Sequence, residues 1–223
     1  MSKANLIYET LRGMIESGQI APGAFIDRPA LVRQLGCSRQ PIAAAIDKLA
    51  FEGLVTVQPQ HGSFASELDR AAIADWFLVR TALEAEFARR LALAAAASKA
   101  GIVIDALSAN LRRQSAAMMA EDIDQFYELD VEFHEVISRF VEAPEGQAIL
   151  ERAQVYLARA RRILLPAPGR MQVVLDEHRA ILVGLRSGST DNAAAAMRAH
   201  LERVAHDLEL TLAPKEKLAT GQS

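Results

Sequence analysis

Hydrophobic and polar positions over residues 1–66 change from a helical period to the alternation that is typical of strands. Apolar residues first recur at helical spacing in three short segments, each of which ends at a glycine. Two short segments rich in β-forming residues then flank a turn at 60–62. The predicted elements are a helix over 5–17, a helix that follows Asp27, a helix that follows Ser38 and ends at Gly53, and strands at 54–58 and 63–66. Three helices followed by a hairpin define a winged helix-turn-helix, which we predict as the first domain.

After residue 66 the chain carries only helical patterns. Segments rich in alanine, leucine and charged residues are separated by breaks that contain proline, glycine or serine. Six helices are predicted, over 69–97, 99–119, 121–141, 145–164, 171–187 and 190–212. The predicted fold class is therefore mainly α, with the winged helix-turn-helix followed by an all-α antiparallel helical bundle over 67–213 and a polar, flexible tail at 214–223.

Composition and charge add little to this picture but exclude some classes of protein. The 223 residues carry a formal net charge of −3, and residues 1–66 hold six Lys or Arg against five Asp or Glu. That balance is weak support for nucleic-acid binding. No apolar stretch approaches the ~18 residues that a membrane span requires, and the single cysteine, Cys37, cannot form an internal disulfide. We therefore expect a cytoplasmic protein that does not enter a membrane.

The helix that follows Ser38 is the candidate recognition helix of the first domain. Residues near its start lie opposite the apolar face, where the major groove would be. An arginine there can bind guanine or phosphate through two hydrogen bonds, and a glutamine can pair with adenine. A glycine in the turn of the hairpin suits a close approach to the minor groove or the DNA backbone. The candidate DNA-binding residues are Ser38, Arg39, Gln40 and Ala43 on the helix and His61, Gly62 and Ser63 at the wing tip.

The run from Ile7 through Phe64 resembles the DNA-binding domain of the GntR family. The matching segments are SGQIAPGAFI, LVRQLGCSRQPIAAAIDKLAFEGLV and HGSF. The resemblance implies a homodimer that binds a pseudo-palindromic operator in double-stranded DNA. A winged helix that binds another protein is the alternative.

Three departures from the family pattern change the expected DNA contacts. They are Ala43-Ala44 in place of a usual Arg-Glu pair, Asp27-Arg28-Pro29 in place of Ser-Glu-Arg, and Asp47 where a basic residue is common. Two arginines that typically grip DNA are therefore missing. Arg28 can substitute for one of them from the neighbouring position, so it joins the candidate DNA-binding residues.

Three histidines and one aspartate interrupt the apolar faces of the predicted bundle helices. Asp130 and His134 are four residues apart on one helix, so both project from the same face. His178 lies in the middle of an apolar stripe, and His200 flanks another. A buried carboxylate is costly unless it is paired or bound to a metal, and imidazole with carboxylate is a common ligand set. Each histidine taken alone is more often a hydrogen-bonded core residue, but the four together predict a site for a divalent metal ion.

The same residues lie in segments that resemble the FCD effector domain of the FadR subfamily of GntR regulators. The segments are ELDVEFHEVI, EHRAIL and AAMRAHLERV, within residues 70–212. The resemblance implies an all-α bundle with a central cavity, zinc or nickel as the bound ion, and a small organic acid as the effector. Arg80 matches a family arginine that can bind the effector carboxylate, and a solvated arginine is the alternative. Arg159, Arg161 and Arg162 form a second basic group, expected mainly on a solvent face with one able to reach the cavity.

These observations favour a regulator over an enzyme. Three histidines and a carboxylate could activate water, but Glu135 directly follows His134 and points away from the metal side, and no other general base is evident. The predicted function is a dimeric, ligand-responsive transcription regulator that senses a small carboxylate through a metal-containing cavity. A purely structural metal is the first alternative, and a metal-dependent hydrolase is the second.

Overall fold

The computed structural model describes residues 3–212 of the chain. Within this range it contains nine helices and one antiparallel hairpin, which confirms the predicted fold class. The elements are α1 (Lys3–Glu16), α2 (Arg28–Leu35), α3 (Arg39–Phe51), β1 (Val55–Gln58), β2 (Gly62–Ala65), α4 (Arg70–Ala96), α5 (Gly101–Met119), α6 (Ile123–Phe140), α7 (Pro144–Leu164), α8 (Arg170–Arg186) and α9 (Thr190–Thr211). The tail predicted at 214–223 lies outside the described residues.

The first three helices enclose a core of apolar side chains from α1, α2, α3 and β1. Asp27 begins α2 as predicted, because its side chain accepts a 2.9 Å hydrogen bond from the amide of Ala30. Gly36 ends α2 with a φ of +57°, a left-handed conformation that glycine adopts without strain. Ser38 occupies the cap position of α3 but makes no side-chain capping bond. The turn between the two helices is therefore held by the first cap and the glycine.

The hairpin forms the wing, and a phenylalanine packs against it. Strands β1 and β2 pair with Val55 opposite Ala65 and Gln58 opposite Gly62. Gly62 has a φ of +110°, and a Cβ atom placed there would lie 2.6 Å from the ring of Phe25. The packing of the wing therefore requires glycine at this position. The sequence pattern had instead indicated a close approach to DNA as the reason for this glycine.

Helices α4 to α9 form the bundle, in which α9 packs along both α4 and α8, and α5 packs along α6. The backbones of α8 and α9 approach closely at Gly184, where a Cβ atom would lie 2.8 Å from the backbone of Ala193. The central core of the bundle includes Phe87, Leu91, Phe126, Leu129, Phe133, Leu175 and Leu201. None of the helices in residues 3–212 is long and apolar enough to cross a membrane.

Helix α7 joins the two parts of the molecule. Val155 is buried and belongs to the core of the first three helices. One turn later, the guanidinium of Arg159 donates a hydrogen bond to the carbonyl oxygen of Ser66. Leu157 and Ala160 of the same helix pack instead with α4 and α9. A single helix thus contacts both the winged domain and the bundle.

Candidate functional site

The candidate recognition helix presents polar side chains on the side away from its core. Ser38, Arg39 and Gln40 are exposed at the start of α3, and Asp47 is exposed farther along. Ala43 is only half-buried, so its methyl group is partly accessible. The buried face consists of Ile42, Ala45, Ile46 and Leu49. The first turn of α3 is therefore the part of this helix that is available to base edges.

The wing places its candidate residues in different environments. His61 is exposed at the tip, whereas Gly62 lies against the ring of Phe25. Ser63 is 1% exposed, and its hydroxyl accepts a 2.7 Å hydrogen bond from Arg28 Nη2. Because side chains alternate along a strand, Ser63 points into the domain, in contrast to the expectation that it faces DNA. Its role in the structure is to hold Arg28 beside the wing.

Asp130, His134, His178 and His200 come together inside the bundle. Helix α6 contributes the first two, and α8 and α9 contribute one histidine each. One ligand atom from each residue lies within 4.8 Å of the others, and all four residues are at most 4% exposed. The packing of three helices therefore gathers the four predicted ligands into one buried cluster.

A buried amide holds the ring of His178. Its Nδ1 atom lies 3.0 Å from Gln114 Oε1, and the amide nitrogen of Gln114 donates to Asn110 Oδ1 at 2.7 Å. Since Gln114 presents an oxygen acceptor, we assign the imidazole proton to Nδ1 of His178. The lone pair on Nε2 then faces the cluster, which is the arrangement that metal-binding histidines require.

Two glutamates occupy the equivalent positions beside the other histidines. His200 Nδ1 lies 2.8 Å from Glu177 Oε2, and His134 Nδ1 lies 2.5 Å from Glu84 Oε2. Neither glutamate was predicted, since a glutamate on a helix is usually solvated. The available signal for Glu84 was its spacing of seven residues from both Phe77 and Leu91, which places it on the buried face of α4.

Burial is the main cause of the shifted pKa values of the histidines in the cluster. It lowers the pKa of His178 and His200 well below the ordinary value of 6.5, and the other basic groups around them lower both further. Both rings are therefore neutral at neutral pH and carry a lone pair for a cation. Burial alone would raise the pKa of Glu84, but Arg80 and His134 outweigh it, so this pKa lies well below its ordinary range.

Two arginines lie beside the cluster. Arg80 is 1% exposed and donates from Nε to Glu84 Oε1 at 2.6 Å, so the alternative of a solvated arginine is wrong. Arg161 is also buried, and its Nη2 contacts Asp130 Oδ2. Burial, with the nearby Arg80, lowers the pKa of Arg161 to about 10, which leaves it charged at neutral pH. Both arginines, together with Asp130 and His200, line a cavity of about 20 Å³.

The basic group near the end of α7 does not form one solvent face. Arg159 and Arg161 are buried, and they face Ser66 and the cavity respectively. Arg162 is half-buried and contacts Asp124. The predicted solvent face is therefore wrong for the first two, whereas one arginine of the group does reach the cavity. Neighbours on a helix differ by about 100° in direction, which explains the separate environments.

The atoms of the cluster fit a divalent cation. Nε2 of His134 and Nε2 of His178 are buried without a hydrogen-bond partner among residues 3–212. Buried polar atoms are nearly always paired, so two unpaired imidazole nitrogens beside Asp130 indicate a ligand set. Imidazole nitrogens with one carboxylate oxygen suit zinc or nickel.

A winged domain is typical of DNA-binding proteins, and in this chain it is joined to a helical bundle with a buried polar cluster. Two family models match the chain: the model of bacterial regulatory proteins of the gntR family over residues 3–64, and the FCD domain model over 75–203. The chain therefore belongs to the GntR family, with a C-terminal FCD domain, and it is a DNA-binding transcriptional regulator. The proteins of this class that it resembles are regulators rather than enzymes.

Related sequences agree with this assignment, and a solved structure has the same fold. The chain is 35% identical to an HTH-type transcriptional regulator in an unstable DNA locus of Streptomyces ambofaciens, over 91% of this chain and 84% of the relative. It is 28% identical to the HTH-type transcriptional repressor RspR of Escherichia coli K12, over 91% of this chain and 87% of the relative. The structure of McbR/YncC from E. coli superposes with a TM-score of 0.79 at 18% identity, over 94% of this chain and 98% of that one. This last similarity concerns the fold alone.

Proposed function

We propose that this regulator changes its affinity for DNA when a small organic acid binds in the FCD bundle, next to a metal ion held by Asp130, His134, His178 and His200. Residues 1–66 bind the operator, and residues 67–213 bind the effector. The protein acts in the cytoplasm as a homodimer, and each subunit places one recognition helix on half of a pseudo-palindromic operator. A bound zinc or nickel ion would supply fixed positive charge and coordination positions for an oxyanion.

The observation that carries this proposal is the position of α7. Arg161 of this helix contacts Asp130 of the cluster, while Val155 and Arg159 contact the winged domain. A change at the cavity and a change at the DNA-binding domain therefore involve the same rigid element. Coupling between two sites requires such a shared element with two arrangements that each ligand favours differently.

Arg161 is the side chain that connects cavity and helix. In the structure its charge is balanced by Asp130. An acid in the cavity offers a competing carboxylate, which an arginine can bind through two hydrogen bonds. Exchange of one carboxylate partner for the other would displace Arg161, and with it α7. The DNA response then follows from the difference in effector affinity between the two positions of the helix.

On the DNA side, the exposed start of α3 carries the proposed base contacts. Ser38, Arg39 and Gln40 are accessible there, with Ala43 partly accessible behind them. His61 at the wing tip and Arg28 beside it are suited to phosphate or minor-groove contacts. Gly62 and Ser63 support these contacts indirectly, through Phe25 and Arg28.

The test measures acid binding and DNA binding on the same metal-loaded protein. An operator is selected from random duplex DNA, and its affinity is measured by fluorescence anisotropy with and without each of a panel of small carboxylic acids. We expect one acid to change the affinity by about fivefold or more. The only tryptophan, Trp76, contacts Tyr156 and Arg152 of α7, so its fluorescence reports the same transition.

Variants of α7 separate the steps. Arg159→Ala removes the bond to Ser66 but does not touch the cavity, so it should bind the acid normally and lose most of the DNA response. Arg162→Ala, on the same turn, serves as the matched control and should retain both. A wild-type response in Arg159→Ala would exclude the Arg159–Ser66 contact as the connection. Destabilisation by a chelator, with no response of the loaded protein to any acid, would indicate a purely structural metal.

A further inference from the structure

Three arginines from three helices converge on the cavity beside the cluster. Arg80 from α4, Arg161 from α7 and Arg170 from α8 all line it. Their exposed fractions are 1%, 6% and 6%, so all three are almost completely buried. Arginine is rarely buried unless it is paired. Burying three guanidinium groups in an otherwise apolar bundle is therefore costly unless each one has a partner.

Contacts within the protein use only some of the hydrogen-bond donors of these guanidinium groups. Each one contacts a single carboxylate: Arg80 contacts Glu84, Arg161 contacts Asp130, and Arg170 contacts Asp207. The nitrogens left without a hydrogen-bond partner among the described residues are Nη2 of Arg80, Nη1 of Arg161, and Nε and Nη2 of Arg170. A buried donor that lacks a partner is costly. Such donors on three sides of one cavity therefore indicate an acceptor-rich ligand.

The charges around the cavity define how many anionic groups that ligand carries. Three arginines face three carboxylates, which makes the walls neutral before any ion binds. The nearby carboxylate of Glu177 is balanced by Arg203 at 2.7 Å. A divalent cation in the cluster then adds two positive charges. A monocarboxylate would neutralise only one of them, in a buried site where unbalanced charge is expensive.

The rest of the lining is aliphatic. Leu164, Leu165, Val174 and Val204 complete the wall of the cavity. These side chains offer no hydrogen bond to a hydroxyl or an amide on the ligand. They favour a short hydrocarbon segment between its charged ends.

From these observations we infer that the effector is a small aliphatic acid with two carboxylate groups, one directed at the histidine–aspartate cluster and the other at the free N–H groups of the arginines. The inference rests on the proposed effector function of this cavity and specifies its ligand class. Arg170 is the residue it adds to the site: its role is to select a second anionic group. Because the cavity measures about 20 Å³, Arg161 must leave Asp130 to make room for such a ligand.

Isothermal titration calorimetry on the zinc-loaded full-length protein tests this inference. Succinate and glutarate are compared with butyrate and pentanoate, which have the same chain lengths and one carboxylate less. Inorganic phosphate tests whether a compact dianion suffices. We expect at least one dicarboxylate to bind about tenfold or more tightly than its monocarboxylate partner, because it gains a second set of charge-assisted hydrogen bonds. Phosphate should bind more weakly than that dicarboxylate, because it has no hydrocarbon segment for the aliphatic wall.

Arg170→Met provides the second arm. This variant should reduce the dicarboxylate preference to less than about threefold, because the second carboxylate loses its charged hydrogen-bond donor. Arg179→Met is the matched control, since Arg179 lies on the same helix, is exposed, and pairs with Asp176. It should behave as wild type. The wild-type comparison alone decides the question should Arg170→Met fail to fold.

The two proposals fail in different ways. Equal binding of mono- and dicarboxylates to the wild-type protein would overturn the dicarboxylate inference and leave the effector function intact. Phosphate binding tighter than every dicarboxylate would overturn it as well. Binding of zinc without binding of any acid or phosphate would refute the effector function, and the ligand class with it.

Discussion

The winged domain and the FCD bundle place their functional residues on opposite sides of their cores. In the winged domain the core is built from apolar side chains and Tyr8, and the candidate DNA contacts of α3 lie outside it. In the bundle the candidate ligands are inside: the ring of His178 stacks on Phe133, with 4.2 Å between the ring centres. In the winged domain, different residues therefore serve stability and function, whereas in the bundle the same buried residues serve both. Substitutions should reveal this difference in the size and kind of their effects.

The largest effect is expected in the bundle, from Asp130→Ala. This change leaves the charge of Arg161 buried without its carboxylate, which should lower the free energy of unfolding of the metal-free protein by about 3–5 kcal/mol. Urea denaturation in the presence of a chelator measures it. Glu132→Ala breaks an exposed pair with Arg113 and should cost about 0–1 kcal/mol. Similar losses for the two variants would contradict the proposed difference between buried and exposed pairs.

Gly62→Ala tests the packing of the wing and should have the next largest effect. The added methyl group would meet the ring of Phe25, and alanine at a φ of +110° is strained, so we expect a loss of about 1–3 kcal/mol in thermal unfolding. Gly13→Ala is the control. It lies within α1 with no atom in the way, and it should stabilise the protein by about 0.5–1 kcal/mol. A neutral result at Gly62 would show that the wing does not depend on this contact.

Arg39→Ala tests whether function in the winged domain is separate from stability. Loss of the exposed guanidinium should weaken operator binding by about 1–3 kcal/mol, while the melting temperature stays unchanged because the side chain packs against nothing in the core. Removal of the exposed negative charge in Asp47→Ala should instead strengthen binding. Unaltered affinity in Arg39→Ala would refute the assigned role of α3. A large drop in its melting temperature would break the contrast between the two regions.

The smallest effect is expected at the helix caps of the winged domain. Asp27→Ala removes the bond to the amide of Ala30 and should cost about 1 kcal/mol in the free energy of unfolding. Ser38→Ala should cost less, because Ser38 makes no capping bond. Chemical denaturation of both variants gives the comparison. A greater loss at Ser38 would mean that its hydroxyl has a structural role that the cap geometry does not show.

The candidate site was only partly predictable from the sequence. Asp130 and His134 could be identified as candidates because they lie on an apolar helical face, where a buried polar side chain is costly unless it is paired or binds a ligand. Glu84, Gln114 and Glu177 did not, since each is a residue type that a helix normally exposes. Their importance comes from the histidine that each one contacts, and each of those histidines lies on a different helix from its partner.

Local patterns determined the fold class, the order of the elements and the chemistry of the four candidate ligands. These properties depend on the period of apolar residues and on turn residues, which act over a few positions of the chain. The tertiary structure decided which side chains meet: that Ser63 turns inward to hold Arg28, that Arg161 reaches Asp130, and that three arginines surround one cavity. Such contacts depend on how helices are rotated and packed against one another. A shift of one residue on a helix turns a side chain by about 100°, and apolar spacing alone does not specify what it then meets.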